Sequence, residues 1–260
     1  MNWKLEKYYF DLQTADGTAV IGYRGGFGPR SPRLPYEAWL VKRPGQKALG
    51  RQGLRGGQLS GGQRNLQWNN KFLGISGQWS GLEGPGPGLR LESEAGHIDW
   101  RVHGLAVPAR VEFDDGPAFS GLGYWEKLEM TLPPWRLPFP ELKWGRFLAD
   151  DGQKSLVWVA WLGGEREERR LWSSTGALGG LKFFENGLSH DGGRLDFTAT
   201  EVVRQGPLFR TLWGPLSGLS RLLPGGLGKA REAKWFSRAQ WLSPGGLARG
   251  WAIYETVYWR

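Results

Sequence analysis

The sequence contains no cysteine. That excludes disulfides, cysteine-ligated zinc, iron–sulfur clusters and a thiol nucleophile. Histidine is scarce as well, with only His97, His103 and His190. None of them forms a His-x-x-His or His-Glu-x-x-His pattern. His97 and His103 would share one face of an extended strand, Asp99 with them. A metal pair or a minor acid–base set is the lesser reading there, and ordinary surface or cavity histidines the greater. Neither a metal nor a cofactor is expected. No apolar run reaches the ~18 residues that a membrane-spanning helix needs. The opening MNWKLEKYYFDL lacks the apolar core of a signal peptide, so a cytoplasmic location is the expectation. The glycine-rich stretches Gly25–Gly28 and Gly56–Gly62 carry no Gly-Lys-Ser/Thr, and no Gly-x-Ser-x-Gly elbow occurs.

What the chain does have is glycine, proline and tryptophan: 42, 16 and 16 in 260 residues. Without a Gly-x-y period, the glycines read as turn and bulge residues between short strands. The formal charge is +9, from 34 basic and 25 acidic residues. The basic residues are dispersed, and the densest run, Glu165 to Arg170, mixes both signs. With no helix-turn-helix, ribonucleoprotein or zinc-finger pattern, nucleic acid is not an expected partner. Peripheral contact with an anionic membrane is the sharper reading of the charge, beside the plain one of a basic soluble protein.

Strand signals run the length of the chain. Lys7 to Leu12 and Thr18 to Tyr23 flank the turn Ala15-Asp16-Gly17. Arg24 to Pro35 reads as loop, Tyr36 to Lys42 as strand, and Gly45 to Gln63 as a polar loop or irregular hairpin. Strands are expected on either side of Asn69-Asn70, then at 89–93, 97–103, 109–113 and 121–131. The second half repeats the style from Lys143, with a turn at Asp150-Asp151-Gly152. Leu156 to Leu162, LVWVAWL, is apolar on both faces. Phe209 to Trp213 reads as strand and Leu216 to Leu223 as a helical turn. Ala233 to Leu242 suits a strand by alternation, with a helix over 230–241 as its competitor. So many short strands argue for two antiparallel β-barrels or sandwiches. GLGYWEKLEM closes the first series and GWAIYETVYW the second, which suggests a duplicated closing strand.

The stretch Gly121 to Phe147 stands out. A strand runs into the proline-rich elbow 132–142 and a second strand follows. The expected units are 1–131, the linker 132–142, and 143–260. Most of the tryptophans read as core and barrel-filling residues, and some as the wall of an elongated apolar pocket. Gly121, Gly123, Tyr124 and Glu126, followed by Pro138 and Trp144-Gly145-Arg146, resemble the carotenoid 1,2-hydratase family of two-domain lipocalin-like proteins. Tocopherol cyclase and lipocalin-like cyclases are more distant relatives of that family. The final strand GWAIYETVYW and the run from His97 to Trp100, Pro108 and Val111 are similar too. These motifs cover about a tenth of the chain. The hydratases carry Asp in place of Glu126, and Asn and Gly in place of Lys127-Leu128.

The resemblance implies two tandem lipocalin-like barrels and a hydrophobic small-molecule partner, isoprenoid or polyene-like. Hydration, cyclisation or isomerisation of such a molecule needs a shielded acid that protonates one alkene carbon, and a carboxyl in apolar surroundings suits that task. Glu126 is the candidate proton donor, with Tyr124 on the same strand face. Trp125, Trp144, Arg146 and Trp158 are the candidate substrate contacts. Two alternatives stand beside this reading. Glu126 and Arg146 can form a structural ion pair at the joint, and the barrels can serve as a carrier or be plugged. Glu255, at the matching place in the second half, reads as structural.

Overall fold

In the computed structural model, residues 3–29, 34–62, 64–82, 86–208 and 229–259 are described. The chain divides into two units, Met1–Arg136 and Leu137–Arg260. The strands of the first are β1 (Trp3–Gln13), β2 (Ala19–Pro29), β3 (Leu34–Lys42), β4 (Leu49–Gly53), β5 (Gln58–Gly62), β6 (Asn65–Asn70), β7 (Ile75–Ser80), β8 (Gly88–Ser93), β9 (Gly96–Phe113) and β10 (Phe119–Met130). Those of the second are β11 (Glu141–Ala149), β12 (Ser155–Leu162), β13 (Glu168–Ser173), β14 (Gly176–Leu178), β15 (Lys182–Phe184), β16 (Gly187–His190), β17 (Gly193–Pro207), β18 (Arg231–Ser243) and β19 (Gly246–Tyr258).

Both units are curled antiparallel sheets with the same winding. The first is ordered β4-β3-β2-β1-β10-β9-β7-β6-β5, with β8 added on β9. The second is ordered β14-β13-β12-β11-β19-β18-β17-β16-β15. In each, the last strand pairs with the first, as the two Gly-Tyr-Glu endings suggest. The ladder stops between β4 and β5, and again between β14 and β15. The fold is therefore all-β, two tandem lipocalin-like barrels.

The leading hairpins show how local sequence sets this up. Gly17 (φ 83°) and Gly152 (φ 70°) take the left-handed conformation that a tight turn requires. The preceding aspartate holds each turn: Asp16 accepts from Thr18 N and Asp151 from Gln153 N. Alternation then sorts the strands into faces. β6 buries Leu66, Trp68 and Asn70 and exposes the residues between them. β12 is buried at every position, as its unbroken apolar run predicts.

Several local expectations differ from the structure. The polar stretch 45–63 contains β4 and β5, because pairing with β3 and β6 overrides its weak strand propensity. β2 extends to Pro29, where a loop was expected from Arg24. The turn after β6 falls at Lys71–Gly74 rather than at Asn69-Asn70, which are paired. The two strands expected around Pro108 are one strand, β9. Register shifts at His103 and Ala106 bend it, and Ala106 sits at φ 57°. A bulged strand tolerates the proline that a regular ladder would not. Ala233 to Leu242 is strand, within β18. The expected elements at 209–213 and 216–223 lie outside the described residues.

Candidate functional site

The interior of the first barrel is packed with large rings. Phe10 lies between Trp68 (4.8 Å) and Trp79 (4.7 Å). Trp125 pairs across from Phe10 and belongs to the same core. The indole N–H groups are satisfied: Trp79 donates to Asp11 O, Trp125 to Ser80 O and Trp68 to Glu37 Oε2. Trp125, expected to touch a substrate, is thus a core residue, with His103 stacked on it at 4.6 Å.

Glu126 points the other way. On β1 and β10, Phe10, Leu12 and Trp125 face the core, so Tyr9, Asp11, Tyr124 and Glu126 occupy the opposite face. They are buried there, Glu126 to 5% exposure. Glu126 Oε2 accepts from Tyr124 OH at 2.5 Å and from Trp100 Nε1 at 2.6 Å. Tyr9 adds an edge-on ring 6.0 Å from Tyr124 and donates to Asp11. The expected Glu126–Tyr124 pair is present, and Trp100 is a partner that the residues alone did not single out.

The acid inside the first barrel is another residue, Glu37, which the sequence reading passed over. It shares the inward face of β3 with Trp39 and Val41. It is 1% exposed and accepts from Gly57 N (2.8 Å), Trp68 Nε1 (2.8 Å) and Asn70 Nδ2 (2.7 Å). Arg24 Nε lies 3.3 Å away. Gly57 leads into β5, so Glu37 spans the break between β4 and β5 by side-chain bonds. An acid at i−2 and i−4 from inward-facing Trp39 and Val41 is the signal that was there to find.

The second unit is different. Trp144 and Arg146 lie on the face of β11 opposite its core residues Phe147 and Ala149. Trp144 carries Lys234 Nζ 4.8 Å from its ring centroid, and Lys234 pairs with Glu255 at 2.5 Å. Of the four expected contacts, Trp144 and Trp158 line a cavity. That cavity measures about 520 Å³, within the size range of small-molecule sites. Trp158, Phe197, Trp235, Tyr254, Lys143 and Thr200 line it. Phe197 stacks on Tyr254 (4.1 Å, 10°), Trp235 on the same ring (5.2 Å, 25°), and Trp158 lies 6.2 Å from Phe197. Burial pushes the Tyr254 phenol above its ordinary value. Glu126 and Tyr124 belong to the first unit, and Trp144, Arg146 and Trp158 to the second.

No protein-family model and no curated protein matches the chain. Solved structures do. CghA in complex with Sch210972 superposes with a TM-score of 0.62 at 10% identity, covering 98% of this chain and 88% of that one. Kievitone hydratase from Nectria haematococca gives 0.59 at 8% identity over the same shares. The fold is theirs. At such identities the likeness shows the fold alone, and it agrees with the architecture that the Gly-Tyr-Glu and Trp-Gly-Arg motifs implied. Among the described residues, no helix is long and apolar enough to cross a membrane.

Proposed function

We propose that this protein binds an apolar, isoprenoid- or polyene-like small molecule and that Glu126 acts on it as a proton donor. The observation behind the reading is a buried carboxyl whose Oε2 accepts from Tyr124 and Trp100 beside the ring of Tyr9. Protonated Glu126 gives its proton to one alkene carbon, and the positive charge appears on the neighbouring carbon. For hydration, water adds there and its surplus proton returns to the carboxylate. For cyclisation, a second double bond attacks that carbon, the charge moves to its far carbon, and loss of a neighbouring C–H proton to the carboxylate forms a new double bond and restores the acid. Tyr124 and Trp100 fix the carboxyl and stabilise it after proton loss, while ring faces nearby favour the passing cation. Two proteins of this fold are a hydratase by name and CghA, which was solved with Sch210972, so the fold accommodates a small molecule.

A second reading is a binding protein without chemistry. It is favoured by the two donors on Oε2, since hydrogen bonds of that kind stabilise the carboxylate over the acid. Incubation of the purified chain with an acyclic carotene, followed by mass analysis, separates the two. The acid reading expects a product that has gained water or rearranged, with Glu126→Gln losing at least ~100-fold in rate and Tyr124→Phe losing less. Retention of the carotene with no conversion supports the binding protein. Undiminished turnover by Glu126→Gln would remove the residue from the mechanism.

A further inference from the structure

The hydroxyls beside the cavity of the second barrel form a chain with one direction. Ser237 Oγ donates to the carbonyl of Arg238 at 2.7 Å, which uses its one proton. Thr200 Oγ1, 3.1 Å from Ser237 Oγ, must then be the donor in that pair. Thr200 has no second proton, so at its 3.1 Å contact with Tyr254 the phenol donates. The proton order runs from Tyr254 to Thr200 to Ser237 to the backbone. The phenolic oxygen keeps its acceptor capacity at the lining of the cavity. Around it stand the near-parallel rings of Phe197, Tyr254 and Trp235, with Trp158 beyond. The rim residues Glu185, Asn186 and Thr200 are exposed, so the cavity opens to solvent.

We propose that the second barrel holds a binding site for a flat, conjugated ring compound that brings a hydrogen-bond donor, a phenolic O–H or a ring N–H, to the Tyr254 oxygen. Flat rings match the stacked wall, and the donor completes a chain whose other protons are already committed. Ring compounds with only an ether or carbonyl in that place leave the phenolic oxygen facing an acceptor. The site uses neither Glu126 nor Tyr124, and it stands whether or not those residues do chemistry.

The test uses the full chain, tryptophan fluorescence, and two probes of one shape: 2-naphthol, which has the donor, and 2-methoxynaphthalene, which lacks it. The wild type is expected to bind 2-naphthol saturably at one site, about tenfold tighter than the ether. Tyr254→Phe keeps the ring and removes the oxygen. It is expected to bind the two probes alike, at about the affinity of the wild type for the ether. Tyr254→Trp, which puts an indole in the cavity, is expected to lose both. Equal affinities in the wild type, a preference that survives Tyr254→Phe, or no saturable binding of 2-naphthol would each overturn the proposal.

Discussion

In the first barrel, the ring that fills the layer between the two leading strands comes from β1, where Phe10 lies over Gly22. In the second it comes from β12, where Trp158 lies over Gly145. Both are register pairs, and with Glu126 set level with Glu255 they occupy the same place in the two windings. A Cβ at Gly22 would come within 2.0 Å of the Phe10 ring, and one at Gly145 within 2.3 Å of the Trp158 ring. One volume is filled from opposite strands, so the fold constrains the sum of a cross-strand pair more than either member. Following the registers further, Trp68, Trp79 and Trp125 correspond to Leu188, Phe197 and Tyr254. Smaller side chains at those three places, set against Trp235 in the place of Gly104, accompany a 520 Å³ cavity in the second barrel, where the first is packed around Phe10 and keeps a 230 Å³ pocket beside Trp39, Val41, Leu73 and Phe113.

The breaks in the two ladders make a parallel contrast. Glu37 bridges the first break with strong bonds to buried donors. Its counterpart by register is Arg169, which reaches across the second break to Leu181 O at 3.4 Å. One break is fastened by a buried carboxylate and the other by a half-exposed guanidinium. Glu37→Leu strands the N–H groups of Gly57, Trp68 and Asn70, and is expected to cost ~3 kcal/mol or more in urea unfolding. Arg169→Leu is expected to cost less than ~1 kcal/mol. Equal losses would mean that the breaks are fastened alike.

The cross-strand pairs offer the next test. Gly22→Ala is expected to lose ~1–3 kcal/mol, because Phe10 is wedged between two indoles and cannot retreat. Adding Phe10→Leu should recover part of that loss, so that the double variant is more stable than additivity predicts. Additive losses would argue against a shared volume.

The smallest expected effect is on pH dependence. Each barrel holds a histidine below its ordinary value. For His103 the cause is burial, then the charges of Lys127 and Arg101; for His190 it is burial, partly opposed by Asp191. A lowered value means that the unfolded chain binds the proton more readily. The contribution is full above the ordinary histidine value of about 6.5 and is lost as pH falls through it towards the lower folded value. Urea midpoints measured between about pH 7.5 and pH 5 should fall on acidification, less steeply in His103→Asn and His190→Asn. An unchanged slope in both variants would assign the acid sensitivity elsewhere.

Much of the fold was legible because alternation, turn glycines and the paired endings are local signals. Gly17 and Gly152 announced their hairpins, and Tyr124 and Glu126 announced a shared face. Which face pointed inward was not legible, since that depends on β1, where Phe10 and Leu12 rather than Tyr9 and Asp11 turn to the core. Pro108 suggested a break that two bulges absorb. The cavity was hidden for the same reason. Phe197, Trp235 and Tyr254 lie far apart in sequence and meet only through the register of β17, β18 and β19. Trp158 was singled out as one aromatic among many, and Tyr254 was overshadowed by its neighbour Glu255, which lies on the opposite face.

The contrast between a packed and an open barrel is tested most directly by diffraction from crystals of the full chain grown with 6-bromo-2-naphthol. An anomalous bromine signal within the ring of Trp158, Phe197, Trp235 and Tyr254, with none inside the first barrel, is the predicted result. A signal among Trp68, Trp79 and Trp125, or none in the second barrel at saturating probe, would contradict it.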